Sequence, residues 1–179
     1  EDFIAAMTRI PELKSLFLVF NKAPKWTVLE GEQRLLWGVP QIRTQTEGIE
    51  SSLSLSSFYQ ANTQGIALLW ESVKSALSAT GEERLLELYS GVGALTLFLA
   101  PDYKEIIGLE LSEEAVSDAN ASLQRLQSRD LESSDCDYSH LSFYQGRAED
   151  FLPDLDFSPD VILCDPPRKG LARSVIDSI

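Results

Sequence analysis

The chain has 179 residues, 44% hydrophobic and 24% charged, which supports one globular core with a small appendage. Its formal net charge of -13 is the wrong sign for a stand-alone nucleic-acid binder, because that affinity comes largely from Lys and Arg displacing counterions. No run approaches the ~20 apolar residues of a membrane helix, and EDFIAAMTRI lacks the basic-then-apolar order of a secretory signal; no membrane contact and a cytoplasmic location are expected.

From Leu16 to about Leu55 the apolar residues fall in short β-rich runs, LFLVF, WTVLE, RLLWGV and SLSLSSF. Turn formers separate them, such as Lys25 after Pro24 and the pair Glu30-Gly31. These runs predict a small antiparallel sheet, and residues 1–57 are read as one β-rich segment.

Between Asn62 and Leu77 the period becomes helical, with Ile66, Leu69, Trp70, Val73 and Leu77 on one face and Asn62 or Thr63 as N-cap. After Thr80-Gly81 come RLLELY, ALTLFLA, EIIGLEL, EEAVSDANASLQRL, LSFYQG and PDVILCD, strand alternating with helix. Short apolar strands alternating with helices predict a parallel, doubly wound sheet covered on both faces. The fold class is therefore α/β of Rossmann type, with the domain placed at residues 58–179. The polar stretch Ser128 to Ser139 is read as a mobile loop.

ELYSGVGAL follows a predicted strand and opens a predicted helix, so Gly91 and Gly93 can bring the backbone close to a ligand. A dinucleotide fingerprint needs a third glycine where this chain has Thr96, which disfavours NAD and a dehydrogenase. Glu87 beside the loop would repel a pyrophosphate but suits the ammonium of a methionine moiety, which points to S-adenosylmethionine. Glu110 ends the next strand, where a carboxyl can accept hydrogen bonds from both ribose hydroxyls.

Asp165-Pro166-Pro167-Arg168 follows the strand VILC at the carboxyl edge, where open α/β sheets bind ligands. The prolines fix the backbone, so the carbonyls and Asp165 form a rigid set of acceptors for the N–H groups of a planar base, with Arg168 beside them. Cys164 is read as a core cysteine, because strand alternation turns it away from Asp165. Cys136 and Cys164 lie far apart and His140 has no matching ligand set, so neither a disulfide nor a metal site is expected.

Three segments in order, SSFYQANT, LLELYSGVGALTLFLA with GLE, and CDPPRKG, resemble the SAM-dependent RNA uracil-5-methyltransferases that modify tRNA and 23S rRNA. The resemblance covers about residues 35 to 179 and implies a SAM-dependent methyltransferase fold, SAM as cofactor and RNA as partner. It implies that Gln60 contacts SAM, that Phe58 lies near the target base, and that Tyr89 flanks the cofactor. Glu110 becomes the ribose-binding acid, and Asp165 lies between cofactor and base. Packing on the core is the other reading of Phe58 and Tyr59. Where related domains place an aspartate for adenine, this chain has Gly146-Arg147-Ala148, which leaves backbone near Ala148, or Glu149, for that role.

The family's chemistry uses a cysteine thiolate that adds to uracil C6, and its motif lies beyond the fifth strand. By resemblance, the chain is expected to be a fragment ending after the fourth strand, without its catalytic residues. Any iron-sulfur cysteines would lie N-terminal to it. An incomplete sheet would leave VILC with an unpaired edge and an exposed face, favouring self-association. The alternatives are methylation of a base amino group, or a non-catalytic ligand-binding or assembly module.

Overall fold

The computed structural model of the chain describes residues 2–21, 29, 31–133, 138–156 and 158–179, with side chains for all of these except Thr63 and residues 129–133. They divide into two compact units, Glu1–Ile42 with Ser54–Ser56, and Arg43–Leu53 with Ser57–Ile179. The first unit holds a short helix α1 (Asp2–Met7), which the sequence pattern does not announce, and strands β1 (Ser15–Asn21) and β2 (Gly31–Gly38). The strands pair antiparallel, with Leu16 opposite Trp37 and Phe20 opposite Glu32. LFLVF and RLLWGV thus form strands, while WTVLE lies outside the described residues apart from Leu29.

Strands β3 (Ile42–Thr46) and β4 (Ile49–Leu53) form a second, separate two-stranded sheet instead of extending the first. Glu47 and Gly48 both have positive φ, 47° and 80°, the conformation of a two-residue hairpin turn. IRTQT has too few apolar residues to announce β3. The boundary expected after residue 57 therefore moves, since this hairpin belongs to the larger unit. SLSLSSF is strand only to Leu53; residues 54–60 are irregular.

Helix α2 (Thr63–Leu77) starts where Asn62 Oδ1 accepts a hydrogen bond from the Gly65 N–H at 3.0 Å. It ends at Ser78, which is left-handed and donates its N–H to the Lys74 carbonyl. Ile66 and Trp70 are buried, with Val73 and Leu77 packed against the same core. Leu69 departs from the expected stripe and is 51% exposed.

The main sheet contains β5 (Arg84–Leu88), β6 (Glu105–Glu110), β7 (Leu141–Gln145) and β8 (Val161–Cys164), all parallel, in the order β7-β6-β5-β8. Helices α3 (Ala94–Leu99) and α4 (Glu113–Ser133) connect the first three strands. The chain then returns through α5 (Ala148–Phe151) to the other side of β5 and ends in α6 (Arg173–Ile176). One core cluster joins α2, α3 and α4 to the sheet, and a second gathers Leu86, Leu88, Ile107, Leu109, Ala148 and Val175. This is the doubly wound α/β architecture expected.

Two details differ from what the sequence pattern predicts. Helix α4 continues through Ser133, so the stretch read as a loop from Ser128 is helical at its start; Arg, Leu and Glu favour helix strongly enough to extend it. Strand β8 is an edge strand, but its four residues are half-buried where an exposed face was expected, because Ile162 and Cys164 pack on the second cluster and Val161 and Leu163 on the first. Among the described residues no helix is long and apolar enough to cross a membrane.

Replacing the N-cap of α2, Asn62→Ala, should cost about 1 kcal/mol. In thermal denaturation this corresponds to a lowering of Tm by about 2–4 °C, and an unchanged Tm would show that the cap contributes nothing.

Candidate functional site

Strand β5 has β6 on one side and β8 on the other, so the chain order reverses there and the carboxyl ends of the strands diverge. Leu88 is in register with Cys164, and the glycine loop and the DPP turn therefore leave the sheet side by side. A cavity of about 110 Å³ opens between them. Phe58, Tyr59 and Gln60 line it from the segment before α2, Ile66, Leu69 and Trp70 from α2, Glu87, Tyr89 and Gly91 from β5 and its loop, Leu95 from α3, and Asp165 from the turn after β8. Two carboxyl groups face this space, and among the described residues no Lys, Arg or His lines it. A larger hollow of about 350 Å³ lies near the amino ends of the strands, around the Lys74–Asp102 ion pair, and holds none of the motif residues.

Glu87 is only 3% exposed. The Thr96 hydroxyl donates to its Oε2 at 2.5 Å, so the position that would be the third glycine serves as a partner for a buried acid. Burial pushes the Glu87 carboxyl up to about 7; the Thr96 hydrogen bond opposes this and the nearby Asp165 adds to it. Glu110 does not line the cavity. Its two carboxyl oxygens accept from the Gly91 N–H at 3.0 Å and the Ser112 N–H at 2.9 Å, which ties the glycine loop to the end of β6.

The loop is bent sharply. Tyr89 has φ 65°, unusual for a residue with a side chain, and Gly93 has φ 70°. Gly93 also stands behind the cavity, directly over Phe143 from β7: a Cβ there would lie 2.4 Å from the ring. Gly108 of β6 meets the same ring, at 2.5 Å from a would-be Cβ. One aromatic side chain therefore supports the loop from below and requires two glycines to do so.

The segment before α2 is anchored at two points. Ser57 Oγ donates to Asp118 Oδ2 at 2.6 Å, and the Tyr59 hydroxyl lies 3.0 Å from Thr46 Oγ1. Between them Phe58 is 74% exposed at the cavity rim, so packing on the core does not explain it, while Tyr59 is partly buried against the core. Phe58, Gln60, Glu87, Tyr89, Gly91 and Asp165 are thus brought together around one cavity. Arg168 is not: it is exposed in the turn closed by the Gly170 N–H on the Pro167 carbonyl and does not line the cavity. Arg147 turns to Glu149 and Asp150 of its own helix, and neither Ala148 nor Glu149 lines the cavity.

Cys164 packs with Leu86 and its neighbours on the other side of β8, and burial together with the Glu87 charge pushes its thiol up, as suits a core residue. Cys136 lies outside the described residues. Sequence reasoning missed Leu69 and Trp70 as lining, Phe143 as support and Asp118 as anchor. For Leu69 the signal was available, since it sits at the edge of the apolar stripe of α2.

The family model for tRNA (uracil-5-)-methyltransferases matches residues 43–179. An uncharacterized RNA methyltransferase of Nostoc sp. is 34% identical over 173 residues, covering 97% of this chain and 35% of the relative. One from Enterococcus faecalis is 36% identical over 177 residues, covering 95% and 36%. The chain therefore spans about a third of the length of these relatives. The tRNA (uracil-54, C5)-methyltransferase of Pyrococcus abyssi, solved in complex with S-adenosyl-L-homocysteine, shares the fold with a TM-score of 0.67 and 24% identity, over 96% of this chain and 39% of that one.

The raised Glu87 carboxyl makes a stability prediction. Folded protein keeps its proton to about pH 7 while unfolded chain loses it near 4.5, so this contribution is fully present below pH 4.5 and is lost as pH rises through 7. Urea denaturation at pH 5 and pH 8 should show the native chain losing on the order of 3 kcal/mol relative to Glu87→Gln. Parallel behaviour of the two proteins would mean that Glu87 is not shifted.

Proposed function

The chain belongs to the tRNA (uracil-5-)-methyltransferase family, and from that premise we propose that it carries the S-adenosylmethionine site of an enzyme that methylates C5 of a uridine in tRNA or ribosomal RNA. The observation that carries this reading is the cavity at the strand reversal: two carboxyl groups, aromatic walls and, among the described residues, no basic side chain. Such a lining disfavours a pyrophosphate and favours a ligand bearing a sulfonium and an ammonium.

In this reading Glu87 and Asp165 face the cationic end of the cofactor, and Tyr89 and Gln60 flank it. Each oxygen of Glu110 keeps a second lone pair beyond its bond to the Gly91 or Ser112 N–H, which the ribose hydroxyls can use. When bound, S-adenosylmethionine supplies an electrophilic methyl group. Phe58, exposed at the rim, offers a ring on which a uracil can stack, and Asp165 an acceptor for a base N–H.

The acceptor chemistry requires a thiolate that adds to uracil C6, so that C5 takes the methyl, and a base that then removes the C5 proton as the thiolate leaves. Among the described residues no thiol lines the cavity. We assign the nucleophile and the proton acceptor to other parts of the whole protein, so that residues 1–179 alone bind cofactor without methylating. The RNA grip is assigned there too, since a charge of -13 opposes it here.

Calorimetric titration with S-adenosylhomocysteine tests the cofactor assignment. The native chain should bind, and Glu110→Ala should bind at least about tenfold more weakly, which is about 1.4 kcal/mol. A folded native chain that gives no heat would overturn the reading.

A further inference from the structure

Asp118 is a fully buried acid on α4, and nothing in the cofactor reading uses it. It belongs to a polar seam running along one face of that helix through Asp118, Ser122 and Arg125, positions spaced four and three residues apart. Ser122 Oγ donates to the Asp118 carbonyl at 2.8 Å and accepts the Ser52 N–H at 2.9 Å. Arg125 reaches the Ser52 hydroxyl and lies 3.2 Å from Glu50, which also meets Arg43 at 3.4 Å. The seam therefore grips β4 and, through the 2.6 Å bond from Ser57 Oγ to Asp118, the chain that leaves it.

Directly after Ser57 come Phe58, Tyr59 and Gln60. All three line the cavity, and residues 54–60 have no helix or strand to hold them. An irregular segment presenting an exposed aromatic and an amide to a ligand loses conformational freedom when that ligand binds, unless it has already been fixed. A buried carboxyl is a costly group to place in a core, and a short hydrogen bond from the residue next to Phe58 offsets that cost at the point where order is needed.

We propose that Asp118 is a positioning residue, whose hydrogen bond from Ser57 fixes Phe58 and Gln60 in the wall of the cavity. Tyr59, held at Thr46, is the second fixed point, so the intervening Phe58 is clamped from both sides. The consequence for ligand binding rests on the cavity being the S-adenosylmethionine site; the fixing of the segment does not.

Two measurements on the 179-residue chain separate these. Amide ¹⁵N order parameters of Phe58 and Gln60 should be near the rigid value of about 0.85 in the native chain and drop below about 0.6 in Ser57→Ala, with the strands of the main sheet unchanged. S-adenosylhomocysteine affinity should fall about fivefold in Ser57→Ala and in Asp118→Leu, with no further loss in the double variant. Asp118→Asn, which keeps an acceptor for Ser57, should stay within about twofold of the native chain. A purely structural Asp118 would lower the Tm of Asp118→Leu while leaving the order parameters and affinity of Ser57→Ala at native values, and that result overturns the proposal. If the native chain binds no S-adenosylhomocysteine, the cofactor reading fails and the order parameters alone decide whether Asp118 fixes the segment. Should Asp118→Leu not fold, Ser57→Ala and Asp118→Asn carry the comparison.

Discussion

Parallel pairing of β5 with β6 on one edge and β8 on the other decides where this molecule can hold a ligand. Connections to either side of β5 must leave its carboxyl end in opposite directions, which opens a crevice that no side chain of the sheet can close. The residues that reach this crevice come from three chain segments that are far apart in sequence. They meet because Leu88 and Cys164 are in register, and because α2 lies in the same core cluster as α3 and α4.

The crevice is held by polar contacts in an otherwise apolar setting. Glu87 bonds Thr96 of α3 across the glycine loop, while Glu110 with the Gly91 N–H and Asp118 with Ser57 each join an acid to a segment whose backbone has little regular structure of its own. Packing sets the position of the strands, and these three acids set the position of what hangs from them. An acid that is withdrawn from water needs a partner, so each is also a point at which a substitution on either side leaves a group unsatisfied.

Much of the main sheet could be read directly, because fully apolar runs such as VILC and the interior of EIIGLEL suit only a strand covered on both faces. The glycine loop, Glu110 and the DPP turn were equally legible, since each sits at a strand end where the pattern stops. The irregular parts were harder. IRTQT carries too little hydrophobic alternation to be seen as β3, and its hairpin rests on the backbone of Glu47-Gly48 and on polar contacts to α4. Asp118 looks like any helix-surface acid until the hairpin is placed against it. Arg168 was drawn in by its neighbours in DPPRKG, but the turn that places Asp165 on the cavity leaves Arg168 in solvent away from it.

The ring of Phe143 beneath the glycine loop has a consequence for how this sequence can change. It occupies the volume that a methyl group would need at both Gly93 and Gly108, so three positions on a loop and two different strands share one steric condition. Neither glycine can be exchanged first without a collision, whereas a smaller residue at 143 would leave a void but clear the ring from Gly108; Gly93, at φ 70°, would stay strained with any side chain. The order of events along an evolutionary path is thereby restricted: the aromatic must shrink before the glycine at 108 is released, while at 93 the ring and the left-handed backbone together hold the glycine, so a lineage that has kept the ring is confined to glycine at two sites far apart in sequence.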